Sequence, residues 1–168
     1  MPELKPIRRE AIAAALRKAA HYRLLNEPRE AESICRDVLA VDADNQEARA
    51  SLVLSLTDLF ASRAAADMSQ ALQEATRVHD EYERTYLTGL IYERWGKAQL
   101  SRGAPPHAAL GWVREALGWF AKAEALSPED NDEAVLRWNA CVRLLQGMPS
   151  DPANPPGEAA GPRDMPFD

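Results

Sequence analysis

With 168 residues and 46% hydrophobic side chains, the chain can supply one continuous core, so a single folded domain is expected. Its 26 acidic and 20 basic residues, interspersed to a formal net charge of −6, exclude the basic face that nucleic acid or anionic lipid would require. No run approaches the roughly 18 apolar residues of a membrane span, and MPELKPIRRE carries charges and two prolines where a secretory signal needs an apolar stretch, so a cytoplasmic protein with no membrane partner is expected.

Alanine, leucine, glutamate and arginine dominate residues 8 to 146 and β-branched residues are sparse, which favours helix almost throughout. Seven helices can be delimited by their punctuation. The first is expected from Ile7 to Leu25, and the second from Pro28, which suits a first helical turn, to about Val41. Asp44 or Asn45 caps a third that runs to about Phe60, and a fourth spans Asp67 to Val78. The fifth extends from Glu81 to about Leu100, where Arg102-Gly103-Ala104-Pro105-Pro106 ends it. A sixth continues to Leu126 and is closed by Ser127-Pro128, and the seventh runs from Asn131 or Asp132 to Gln146.

This divides the chain into a helical domain over residues 1–147 and a tail over residues 148–168. The tail holds six prolines, two glycines and only one large aromatic residue, Phe167. It cannot bury enough surface to offset its ordering entropy, and it is expected to be disordered. Asp151, Glu158, Asp164 and Asp168 against Arg163 also give it about half of the net negative charge.

A small pattern recurs along the helices. Ala31, Cys35 and Val38 stand at i, i+4 and i+7 in the second helix, Met68, Leu72 and Ala75 in the fourth, and Ala116, Phe120 and Ala123 in the sixth. Each preceding helix carries a small or modest residue followed three positions later by a larger one: Ala19 and Tyr22, Val53 and Leu56, Gly89 and Tyr92. Cys141 and Leu144 repeat the pair in the seventh. A small residue lets the partner helix approach and the larger one fills the space beside it.

On these residues the chain resembles the tetratricopeptide repeat (TPR) family over about residues 12–146. The first unit carries Ala19, Tyr22, Pro28, Ala31, Val38, Leu39, Asp42, Asp44 and Asn45, and the third carries Thr88-Gly89, Tyr92, Ala116, Phe120, Ala123 and Pro128. The second lacks the expected glycine and proline. The resemblance implies an all-α fold, a right-handed α-α superhelix (solenoid) of about three TPR-like helical hairpins plus a terminal helix. The hairpins are unequal. The third has 15 extra residues between Tyr92 and Ala116 compared with Tyr22 to Ala31, which, shared between two helices, adds roughly two turns or about 11 Å to each.

In the resembling family the concave groove is lined by the first helix of each unit. Transferred to this chain, it would present Leu16, Arg17, Ala20 and Arg23; then Ala50, Ser51 and Leu54; then Tyr86, Leu87, Leu90 and Arg94; and finally Asn139. The partner-groove residues are thus expected to include Arg17, Arg23, Leu54, Tyr86, Leu90, Arg94 and Asn139. Leu16 and Ala20 stand where members that grip a terminal carboxylate carry Lys and Asn, so a mixed apolar and arginine groove for a protein or peptide segment is the expectation. A second candidate surface is the longer hairpin, where Trp95, Trp112 and Trp119 could form an aromatic patch and, as an alternative function, a homodimer seam.

Chemistry is sparse. No GxSxG, Walker loop, dinucleotide glycine turn or HExxH occurs, so no enzymatic activity and no cofactor are expected. His79, Asp80, Glu81 and Glu83 are the one local His/carboxylate group. They would suit a metal only in a continuous helix, and a solvated acidic connection is expected instead. Cys35 and Cys141 show no zinc spacing and are expected to be buried thiols.

Overall fold

The computed structural model describes residues 1–62 and 68–148. Among them are seven α-helices and no strand: α1 (Ile12–Leu24), α2 (Pro28–Val41), α3 (Gln46–Asp58), α4 (Met68–Ala75), α5 (Glu81–Ser101), α6 (Pro106–Leu126) and α7 (Glu133–Gly147). The tail after Met148 and the expected start of the fourth helix at Asp67 lie outside the described residues.

Local chemistry sets most of these ends. The side chain of Asn45 accepts from the Ala48 amide at 2.9 Å and that of Asp80 from the Glu83 amide at 2.7 Å, so both satisfy amides that the first helical turn leaves free. Asn45 and not Asp44 therefore caps α3. Both α1 and α5 end in the same way, with Asn26 at φ 59° and Gly103 at φ 81°. The residue after each then donates five positions back, Glu27 to Tyr22 at 2.9 Å and Ala104 to Gln99 at 3.0 Å. A left-handed residue placed there closes the helix, and glycine or asparagine tolerates it best.

Three boundaries differ from the sequence expectation. The first helix starts at Ile12 and not Ile7, because a single 3-10 turn over Arg9–Ala11 precedes it and Ile7 packs instead on the Leu16, Val38 and Ala48 cluster. The third stops at Asp58, with Phe60 in a turn, and the fourth stops at Ala75, with Val78 beyond it. Phe60 and Val78 are each 1% exposed. Their apolar character serves the core from a turn, which periodicity alone cannot separate from helix.

Each helix packs on the next, and α1 with α3 and α3 with α5 also touch. The small-residue stripes lie in these seams. Ala31, Cys35, Val38, Ala116, Phe120 and Ala123 have no exposed surface, while in α4 the buried residues are Ala71 and Ala75 and Met68 and Leu72 are only partly covered. Between α5 and α6 two glycines allow a close approach. A methyl group on Gly89 would stand 2.7 Å from the Phe120 ring, and one on Gly96 would stand 2.8 Å from the Ala109 carbonyl oxygen. Only glycine allows that separation.

The third hairpin is the long one, with 21 residues in each of α5 and α6 against 13 and 14 in α1 and α2. Its far end is braced by the turn after α3. Trp95 meets Phe60 edge-on at 5.2 Å between centroids, and Arg102 donates to the carbonyl oxygens of Phe60 and, at 2.8 Å, Ser62.

Candidate functional site

A cavity of about 570 Å³ opens across the odd-numbered helices. The residues that reach it recur every four positions, the spacing that keeps side chains on one helical face. Tyr86, Leu90 and Arg94 come from α5, Ala50 and Leu54 from α3, Glu133 and Arg137 from α7, and Arg23 from the end of α1. Leu87 completes the floor, and Asp80, Tyr82 and Glu83 form one rim.

Five of the expected groove residues meet here: Arg23, Leu54, Tyr86, Leu90 and Arg94. Arg17 and Asn139 do not line it. At about 100° per residue, Arg17 is turned by roughly 120° from Arg23, and Asn139 by about 160° from Arg137. Leu16, transferred to the groove with them, is 5% exposed and belongs to the core. Leu90 is itself only 4% exposed, so it is floor more than contact surface.

The floor is apolar but its two ends carry opposite charge. At one end Asp58 of α3 accepts from Arg23 Nε at 2.7 Å and from Arg94 Nη1 at 2.6 Å, and Thr57 accepts from the same Arg94 nitrogen at 2.7 Å. Close by, Glu93 of α5 has no exposed side-chain surface and takes Arg137 through two bonds, of 2.5 and 3.0 Å, and Lys97 at 2.5 Å. Four cations thus share two carboxylates, which leaves this end with an excess of two positive charges. Arg94 registers the crowding. Burial depresses its pKa, Asp58 opposes that, and the charges of Arg23 and Arg137 push it further down. Burial also acts to lower the pKa of Arg137, but its bonds to Glu93 outweigh that and the net shift is upward.

At the other rim, Asp80, Glu83 and Glu133 have no ion pair among the described residues. Burial raises the Glu83 pKa, and the neighbouring Asp80 charge adds to the rise. Between the ends the phenol of Tyr86 is pushed up to about 12, by burial first and then by the Glu133 carboxylate. Its ring stacks on Tyr82 at 5.9 Å.

Asp80, Tyr82, Glu83, Glu133 and Arg137 were missing from the sequence-based groove. Glu133 and Arg137 were detectable in principle, since they stand four apart at the start of α7. Nothing local says which face of that helix turns inward.

The three tryptophans divide. Trp95 is half-buried against Phe60, with the Arg102 guanidinium 6.0 Å from its ring centre. Trp112 and Trp119 lie on the opposite helix of the hairpin and stack near-parallel to Tyr92, at 6.0 and 6.4 Å. Trp112 is 37% exposed, and Lys122 sits 4.4 Å from the centre of the Trp119 ring.

His79 turns away from Glu83 and places Nε2 3.2 Å from Asp44 Oδ1 at the surface. Among the described residues no group of three or more His, Cys, Asp or Glu side chains could hold a metal ion. Cys35 and Cys141 are buried free thiols, and burial, reinforced by Glu93, pushes Cys141 up to about 11. Among the described residues no helix is long and apolar enough to cross a membrane. No protein-family model matches the chain, no curated protein matches it, and no solved structure matches it.

Proposed function

We propose that this chain is a non-catalytic interaction adaptor, a short right-handed superhelix of three TPR-like hairpins plus a terminal helix that holds a segment of another protein in its groove. The observation that carries the reading is the cavity itself, lined at four-residue spacing by side chains from α1, α3, α5 and α7. A surface assembled from separate helices has the length and the mixed apolar and polar lining that a peptide needs.

Tyr86 and Leu54 are the residues to change, because both are partly exposed and line the floor. The Tyr86→Ala, Leu54→Gln variant should lose the partners that the parent protein retains by crosslinking in cells, while its thermal unfolding stays cooperative. Retention of the same partners by a folded variant would overturn the reading.

Trp112 supports a second reading, since a tryptophan left 37% exposed beside Trp119 offers a seam for a second copy of the chain. Sedimentation at micromolar concentration decides it: a strict monomer removes the homodimer.

A further inference from the structure

The groove is polar along its length, and its polarity specifies a ligand more narrowly than the adaptor reading does. That inference rests on the groove being the binding surface. Glu83 and Arg94 lie on the same helix, 11 positions apart, so about 16 Å of groove floor lies between these two groups. The acidic rim holds Asp80, Glu83 and Glu133, none of which forms an ion pair among the described residues, and the nearby Arg84 guanidinium is engaged by the Val78 and His79 carbonyls. The other end holds Arg23, Arg94 and Arg137 against Asp58 and Glu93, and Glu93 is also paired with Lys97 from outside the groove lining. Each end is therefore short of counter-charge of its own, in opposite senses.

We propose that the occupant is an extended segment of a partner protein with a lysine or arginine and an aspartate or glutamate about five residues apart and apolar side chains between them. The length follows from the rise of an extended chain, about 3.3 Å per residue, over about 16 Å. A helical segment would need the two charges about 11 positions apart to cover the same distance, so the spacing itself distinguishes the two conformations. Opposite charge at the two ends fixes the direction in which the segment lies, because reversing it sets like against like at both ends.

The carboxylate meets a built site. Arg94 and Arg137 are already oriented by Thr57, Asp58 and Glu93, so little side-chain entropy remains to be lost when a third carboxylate arrives. The apolar residues would cover Leu54, Tyr86 and Leu90.

The test is selection of a displayed library of random 12-residue peptides on the full-length protein. Enriched peptides should carry the cation and the carboxylate at that separation, in one order, and synthetic copies should bind Arg94→Gln at least about tenfold more weakly at low salt. Arg137 also neutralises Glu93, so Arg137→Gln is a poor second probe. Glu83→Lys with Glu133→Lys is better, since neither carboxylate holds an ion pair among the described residues. This pair should switch the selection to peptides acidic at both ends. Enriched peptides with no charge order that Tyr86→Ala, Leu54→Gln fails to bind would overturn the polarity and leave the groove standing. Peptides that bind this variant undiminished would remove the groove reading as well, and no enrichment at all overturns the proposal. The chain's own residues 163–168 place Arg163 and Asp168 around Met165, Pro166 and Phe167. If a peptide of that sequence outcompetes every selected one, the occupant is not a partner's segment and the proposal falls.

Discussion

Arg137 of α7 reaches across to Glu93 of α5 and holds both of its carboxylate oxygens, Nη2 to Oε1 at 2.5 Å and Nε to Oε2 at 3.0 Å. Glu93 is fully enclosed while Arg137 keeps 31% of its side chain in contact with solvent. The pair joins the terminal helix to the long hairpin and sets the position of the guanidinium in the groove. Removing Arg137 would strand a carboxylate with only Lys97 beside it. Arg137→Met should cost about 3 kcal/mol in urea unfolding, and adding Glu93→Gln should recover most of the loss. Equal stability of Arg137→Met and the parent would show that the pair contributes nothing.

The four helical glycines of the long hairpin should separate by sign. Gly96→Ala would drive a methyl group against the Ala109 carbonyl and the Val113 side chain, a backbone obstacle that cannot rotate away. It should destabilise the protein by about 1–3 kcal/mol despite the better helix propensity of alanine. Gly89→Ala faces the enclosed Phe120 ring and should act in the same direction. Gly111 and Gly118 of α6 have nothing within 4 Å of an added methyl group, so Ala at either should stabilise by about 1 kcal/mol. Chemical denaturation of the four variants checks the order.

Glu83 gives the groove a pH dependence. Its pKa is raised in the folded chain by burial and by Asp80, so the folded state prefers it protonated. Below the ordinary carboxylate value the group is neutral in both states and costs nothing; the penalty appears as pH rises through the raised pKa and persists at neutral pH. Glu83→Gln should therefore raise the melting temperature at pH 7 and leave it unchanged near pH 3. A gain of equal size at both pH values would mean that packing and not charge is responsible.

Asn45 and Asp44 provide a cap test. Only Asn45 accepts from an amide of the first turn of α3, and Asp44 faces Gln46 and His79 at the surface. Asn45→Ala should cost about 1 kcal/mol. Asp44→Ala, measured in the same unfolding assay, should change stability by less than half of that.

The seven helices and most of their ends were legible because those ends are written locally. Pro28, Asn45, Asp80 and the Gly103 turn act on their own backbone amides and carbonyls, and the unequal spacing of the small-residue stripes gave away the longer hairpin before any tertiary contact was known. The four-residue stripe Tyr86, Leu90 and Arg94 was also visible, as was Arg23. Errors began where apolar residues serve the core from outside a helix, as Ile7, Phe60 and Val78 do.

What the sequence alone determined was thus the all-helical framework, its seven segments and the inequality of the third hairpin, since these depend on chemistry within about one turn of chain. The tertiary structure decided which face of each helix is covered. It sent Arg17 and Asn139 out of the groove, brought Arg137 and the acidic rim into it, split Trp95 from Trp112 and Trp119, and enclosed a glutamate that no local pattern distinguishes from a surface one. The reason is rotational: about 100° separates neighbours on a helix, and only the packing of the other helices fixes which direction is inward.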